Sequence, residues 1–181
     1  MLPTDILRQE HQLILKVLGA AEREARAIAG GAAVDPDRLA SFVDFIRNFA
    51  DHCHHAKEED LLFVRMGEKG FPLQGGPIAV MLHEHELGRA HIKAVADSIA
   101  AAAAGVAAAR TVIVEHLAAY AALLRQHISK EDNILYPMAD QVFSEDDQSA
   151  LVADFERVER DEIGEGTHER YAALARELAG G

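Results

Sequence analysis

The sequence predicts an all-α protein, and three observations support that class. Alanine, leucine, glutamate and arginine are frequent, whereas runs of β-branched residues are scarce. Apolar residues recur at spacings of three and four, as they do on one face of a helix. Glycine and proline residues mark the ends of these periodic segments. Four long segments joined by short turns indicate an antiparallel up-down four-helix bundle with a short C-terminal helical extension.

The first two helices have distinct start and stop residues. We expect the first helix to begin at Thr4, which acts as its N-cap, and to end at Gly30. The second helix follows Asp35, has Pro36 at its first position, and runs to about Met66.

The third and fourth helices follow a glycine-rich loop. The loop ends at Pro77, where the third helix begins, and that helix continues through an alanine tract to Gly105. The fourth helix is expected from about Ala107 to about Val142, with a bend at Pro137, because proline lacks the backbone N–H that an inner helical position needs.

Two shorter helices are predicted after the fourth. Ser144 precedes three acidic residues and is expected to cap the fifth helix, and Thr167 is expected to cap a sixth that ends near Ala179. We therefore divide the chain into a bundle of residues 1–143 and an extension of residues 144–181 that packs on the same domain.

Composition and charge exclude several functional classes. Eighteen basic residues against thirty acidic ones give a net charge of −12, which argues against binding to nucleic acid or to an anionic membrane. No segment approaches the ~18–20 uncharged apolar residues of a membrane span, and no signal peptide is evident. Cys53 is the single cysteine, which excludes an intrachain disulfide and fits a reducing compartment. A cytoplasmic location is expected, and no feature of the sequence identifies a protein partner.

An internal repeat involves the histidines, of which the chain has ten. Residues 54–63 and 127–136 share the pattern His-x-x-Lys-Glu-(Glu/Asp)-x-(Leu/Ile)-Leu-(Phe/Tyr), offset by 73 residues. Glu-His pairs at residues 10–11 and 84–85 repeat with an offset of 74. The chain therefore resembles two copies of a helical hairpin, each with one lone histidine and one His-x-x-x-Glu.

This spacing suits a buried metal pair. Residues four apart lie on one helix face, about 5–6 Å from each other, so an imidazole and a carboxylate reach the same ion. His54 continues the apolar stripe of its helix, so His54 is expected to face inward and the adjacent His55 to face solvent. The candidate ligands lie at one level of the predicted bundle. They are His11, His54, Glu58, His85, His127 and Glu131.

Structural alternatives exist for each of these residues taken singly. A lone histidine on an apolar stripe is often an ordinary core residue, and a buried hydrogen bond explains an isolated His-x-x-x-Glu. Cys53, Tyr120 and Tyr136 are expected to be packing residues, and His116 lies too far along its helix to join the centre. The histidines predicted at the surface are His52, His55, His83, His91 and His168. A ferritin-like oxidase would have two Glu-x-x-His motifs, and the single occurrence here, at Glu165, lies outside the bundle.

Over residues 4–142 these motifs resemble the hemerythrin-like family of HHE cation-binding domains. The resemblance implies two iron ions with terminal histidines, and Glu58 and Glu131 as bridging carboxylates beside an oxo or hydroxo group. The same ligand types also suit zinc or manganese. Oxygen-carrying members have a fifth histidine on the third helix, where this chain has Arg89 or Met81. The set is closer to that of the iron–sulfur repair and iron-sensing members.

The expected function is therefore that of a non-heme di-iron protein. Such a centre binds or reacts with O2, NO or peroxide, in sensing, scavenging or stress protection. The alternative is an iron-binding or interaction module, in which metal occupancy controls folding or partner binding without catalysis.

Overall fold

The computed structural model describes residues 1–164 and 166–180, which form helices and no strands, so the all-α class is confirmed. Glu165 and Gly181, both in the predicted extension, lie outside the described residues. The helices form four long rods. The first rod is α1 (Pro3–Ala29), and the third is α4 (Gly76–Ala103). The second rod consists of α2 (Pro36–Phe45), π-helical segments at Ile46–His55 and Glu58–Leu62, and α3 (Phe63–Glu68). The fourth rod consists of α5 (Ala107–Lys130), a π-helical turn at Glu131–Leu135, and α6 (Tyr136–Val142). The C-terminal elements are α7 (Glu145–Val158), a π-helical turn at Glu159–Ile163, and α8 (Thr167–Gly180).

Contacts between the rods show that neighbouring rods run in opposite directions. Thr4 near the start of α1 contacts Asp140 near the end of the fourth rod, whereas Glu22 pairs with Arg125, which is earlier in that rod. Contacts between the other neighbours show the same reversal. They are Glu10–Lys57 and Glu24–Arg38, Asp51–Arg89 and Glu59–His85, and Glu84–Lys130 and His91–His116.

The start of α1 differs from the prediction. The helix begins at Pro3, and the carboxylate of Asp5 accepts a hydrogen bond from the backbone N–H of Leu2 at 2.9 Å. The prediction that Thr4 caps this helix was wrong, because its hydroxyl is buried and donates to Asp140 at 2.7 Å. Ser144, by contrast, caps α7 through its hydroxyl, as predicted.

Two hydrophobic clusters fill the space between the rods, one toward each end. Most of the buried polar residues lie near the level where the two clusters meet, as His11 does between Leu7 of one cluster and Ile14 of the other. The C-terminal helices contribute to both clusters, through Phe155 of α7 and Tyr171 of α8. The extension therefore packs on the bundle, while the domain division at residue 143 stays a prediction.

The fourth rod, Ala107–Val142, is long and apolar enough to cross a membrane by length and composition alone. Core helices of soluble proteins share these properties. This rod carries two fully buried polar side chains, His127 and Glu131, and packs against α1 and α4.

Candidate metal centre

The structure brings the six predicted residues together in the layer between the two hydrophobic clusters. Each is at most 1% exposed. Together with His55, they form two sets of ligand atoms, and within each set all the atoms lie within 4.8 Å of one another. The first set is His11, His54, Glu58 and Glu131, and the second is His55, Glu58, His85 and His127. Glu58 belongs to both sets, so the arrangement offers two adjacent positions that share one carboxylate.

His55 corrects the sequence prediction. It is 5% exposed rather than a surface residue, and its ring stacks on that of His85 with centroids 3.8 Å apart. The prediction assumed α-helical geometry, in which adjacent residues point about 100° apart. The second rod is instead π-helical over Ile46–His55, and a π-helix turns less per residue because its hydrogen bonds reach the fifth residue along. His54 and His55 can therefore both face the interior.

Carboxylates that the sequence prediction did not assign hold the histidines in place. The Nδ1 atom of each predicted ligand histidine lies 2.6–2.9 Å from a carboxylate oxygen. The pairs are His11–Asp132, His54–Glu10, His85–Glu59 and His127–Glu84. A carboxylate that accepts from Nδ1–H leaves the Nε2 lone pair free, and here Nε2 faces the centre. Each of these carboxylates adjoins a predicted ligand in the sequence, a signal that could have identified them.

The internal repeat reappears in these contacts, because the lysine that both copies contain makes the same kind of contact in each. Lys57 binds Glu10, the carboxylate that orients His54. Lys130, which occupies the matching position of the second copy, binds Glu84 in the same way. The lysine of the repeated motif thus holds the carboxylate that positions the histidine three residues before it.

Tyr136 lies at the centre rather than serving only as a packing residue. Its hydroxyl donates to Oε1 of Glu58 at 2.5 Å and lies 3.4 Å from Nε2 of His11. Burial, with Glu131 and Glu58 close by, raises the pKa of the Tyr136 hydroxyl well above its usual value, so it remains a hydrogen-bond donor.

Three buried carboxylate oxygens indicate that cations fit this site. Among the residues that the structure describes, Oε2 of Glu58 and both side-chain oxygens of Glu131 are buried without a hydrogen-bond donor. Burial and the neighbouring Glu131 raise the pKa of Glu58 well above its usual range. Burial opposes ionisation of Glu131 too, but His127 and His11 lower the pKa of that group. Two buried carboxylates facing imidazole Nε2 atoms form a donor set that metal cations satisfy.

The remaining histidines lie outside the two ligand sets. His168 was predicted at the surface; it is partly exposed, and its Nε2 lies 4.0 Å from Oε1 of Glu10. His52 and His83 are exposed, as predicted. His91 and His116 are partly buried against each other, with their Nδ1 atoms 2.9 Å apart. Cys53 is a buried core residue, as predicted, although its thiol lies near the Glu10 carboxylate.

Comparison with known proteins places the chain in a family. Proteins of Mycobacterium tuberculosis and Mycobacterium bovis, both described as uncharacterized, are each 25% identical to it over 163 residues. The alignment covers 90% of this chain, and the chain spans about 63% of the length of these curated relatives. No solved structure gives a match. The model of the hemerythrin HHE cation binding domain matches residues 2–139, which confirms the resemblance drawn from the sequence. Because this match covers well over half of the chain, the protein belongs to the hemerythrin family of HHE cation-binding domains.

Proposed function

We propose that this protein is a non-heme di-iron protein that binds or reacts with O2, NO or peroxide. The observation that carries the proposal is the pair of buried ligand sets that share Glu58. Each set has the mixed imidazole and carboxylate donors that suit iron. The single cysteine fits a cytoplasmic setting, where thiols stay reduced.

The proposal assigns each side chain to one of the two positions. His11, His54 and Glu131 would hold one ion, His85 and His127 the other, and Glu58 would lie between them. Glu131 also approaches the second position, since its Oε1 lies 3.0 Å from Nε2 of His127. His55 joins the second set as a fifth histidine, from the second rod rather than the third. Iron bound here would supply redox chemistry and open coordination positions for a small ligand.

The chain's own groups prepare this site in three ways. The four orienting carboxylates fix the imidazole rings with Nε2 directed inward, so little reorganisation accompanies metal binding. The Tyr136 hydroxyl places a proton donor beside Glu58 and His11. The two hydrophobic clusters cover this layer toward both ends of the bundle.

Metal content and optical spectra test the proposal. We expect about two iron ions per chain, and spectral changes when O2, NO or peroxide is added to the anaerobic reduced protein. Glu58→Ala removes the shared carboxylate and is expected to lower the iron content most. Glu68→Ala, on an exposed side chain of the same rod, is the matched control. A wild-type protein without bound metal, or with bound metal and unchanged spectra, would contradict the proposed reactivity.

One contact favours a second candidate function, a module in which metal occupancy controls folding or partner binding. Lys57 binds both Glu10, which orients His54, and Glu159 in the π-helical turn after α7. The C-terminal extension is therefore linked to a proposed ligand through two side chains. Limited proteolysis with and without iron distinguishes the candidates. The module predicts cleavage after α7 that depends on iron, together with spectra that do not respond to O2, NO or peroxide.

A further inference from the structure

A cavity lies beside the candidate centre. It is a cavity of about 270 Å³ between the second, third and fourth rods. His55 and His85 line it at the level of the centre. Ile46 and Ile92 line it about two helical turns away, so the cavity extends along the bundle from the centre.

The size of this cavity exceeds what a diatomic ligand needs. One water molecule requires about 10–15 Å³ of comparable space, and O2 and NO are of similar size. A space of about 270 Å³ is close to the lower end of the range for pockets that hold small organic molecules, roughly 300 Å³. The cavity therefore fits a ligand with several carbon atoms.

Every charged side chain in the cavity wall except that of Arg47 has an oppositely charged partner. Arg89 binds Asp51 through its Nε and one terminal nitrogen, and binds Glu59 at 2.7 Å. Glu84 binds His127 and Lys130, as described above. Arg47 forms no ion pair or hydrogen bond with any residue that the structure describes, and its side chain is exposed. The cavity thus carries one unpaired positive charge, on its solvent side.

The rest of the wall is suited to an apolar group. Ile92 and Leu124 are buried and present aliphatic surface. Gly88 packs closely against the ring of Tyr120, since a Cβ there would lie only 3.3 Å from Cε2 of that ring. The Tyr120 hydroxyl has no hydrogen-bond partner among the described residues and adds a polar group next to these aliphatic side chains.

We propose that this cavity binds a small amphipathic organic acid. Its carboxylate pairs with Arg47, and its apolar part lies against Ile92, Tyr120 and Leu124 and extends toward His55. A guanidinium at the mouth of an apolar cavity matches this class of ligand, since it forms charge-assisted hydrogen bonds with carboxylates. That the acid thereby lies next to a metal centre rests on the proposed function, whereas its binding does not.

Isothermal titration calorimetry with sodium octanoate tests the proposal, on the iron-loaded and the metal-free protein. We expect saturable binding of about one octanoate per chain. Arg47→Ala is expected to weaken it about tenfold or more, because it removes a charged hydrogen-bond donor. Arg176→Ala makes the same charge change on an exposed residue of α8 and is expected to leave the affinity unchanged. The uncharged 1-octanol is expected to bind at least about tenfold more weakly than octanoate.

A second variant tests the apolar part of the site. Leu124→Phe adds volume to the cavity wall and is expected to weaken octanoate binding, with circular dichroism as the check on folding. Absence of octanoate binding, or equal affinity in wild type and Arg47→Ala, would overturn the proposal. Equal affinity for octanol and octanoate would overturn the assignment of an acid. Iron uptake is measured on the same protein. If the protein binds octanoate but takes up no iron, the di-iron proposal alone is refuted. If it takes up iron but binds no octanoate, the acid-binding proposal alone is refuted.

Discussion

Replacement of Lys57 by methionine tests how the candidate centre is stabilised. The Lys57 side chain is fully buried, and its ammonium group binds the carboxylates of Glu10 and Glu159. Lys130 holds the matching position of the internal repeat and binds Glu84, but its side chain is 36% exposed. The two lysines therefore form a matched pair that differs in burial and in the second carboxylate, Glu159, that Lys57 binds.

The expected magnitudes follow from what each substitution leaves behind. Lys57→Met leaves Glu10, which is 1% exposed, without its ammonium partner. Removal of one partner of a buried ion pair costs about 3–5 kcal/mol of unfolding free energy. Lys130→Met breaks a pair that water partly screens, so the expected cost is about 0–1 kcal/mol. At this chain length the first change lowers Tm by roughly 6–20 °C.

Urea denaturation of the metal-free proteins at pH 7 measures both losses. Burial raises the pKa of Glu10, but contacts with His54 and Lys57 outweigh it and lower that pKa to about 2. The stabilisation is therefore present above about pH 4.5, where the unfolded carboxyl ionises, and it is lost as the pH falls toward 2. The difference between wild type and Lys57→Met is expected to shrink over that interval. Equal losses for the two lysine variants at pH 7 would refute the burial argument.

Three further predictions concern other parts of the chain. His55→Ala is expected to lower iron content by about one ion per chain, whereas exposed His52→Ala leaves it unchanged; equal iron content in both variants would remove His55 from the site. Burial raises the pKa of the Cys53 thiol to about 12, so a disulfide reagent is expected to label it at pH 8 in urea but not in the folded protein, and rapid labelling without urea would contradict its burial. Ser144→Ala removes the cap that accepts from the N–H of Asp147 and is expected to cost about 1 kcal/mol in urea denaturation, with no loss if the cap is dispensable.

Much of the candidate site could be predicted from sequence because of the internal repeat. A single His-x-x-x-Glu carries little information, but two copies in matching contexts identified His54, Glu58, His127 and Glu131. The position of His55 could not be predicted, because the choice between adjacent residues assumed a regular α-helix. The π-helical turn that overturned this choice is a property of the folded rod, where packing against its neighbours decides the hydrogen-bonding pattern.

The partners of the histidines show the same limit. Glu10 and Glu84 are prominent in the sequence, yet each orients a histidine on a different rod, more than 40 residues away. Periodicity within one helix gives no information about such pairs. Tyr136 was expected to be a packing residue for the same reason, and its hydroxyl reaches Glu58 only because the second and fourth rods meet at that level.

The sequence by itself determined the helical class, the approximate ends of the helices and the apolar faces that point to the interior. These follow from local propensity, capping and the period of the apolar residues, which act over a few residues of the chain. Tertiary structure alone decided which imidazoles face one another, which carboxylates orient them, and where the cavity beside them opens. Those features depend on how separate rods pack and on where a rod departs from regular α-helix, and both are set by contacts between residues far apart in the chain.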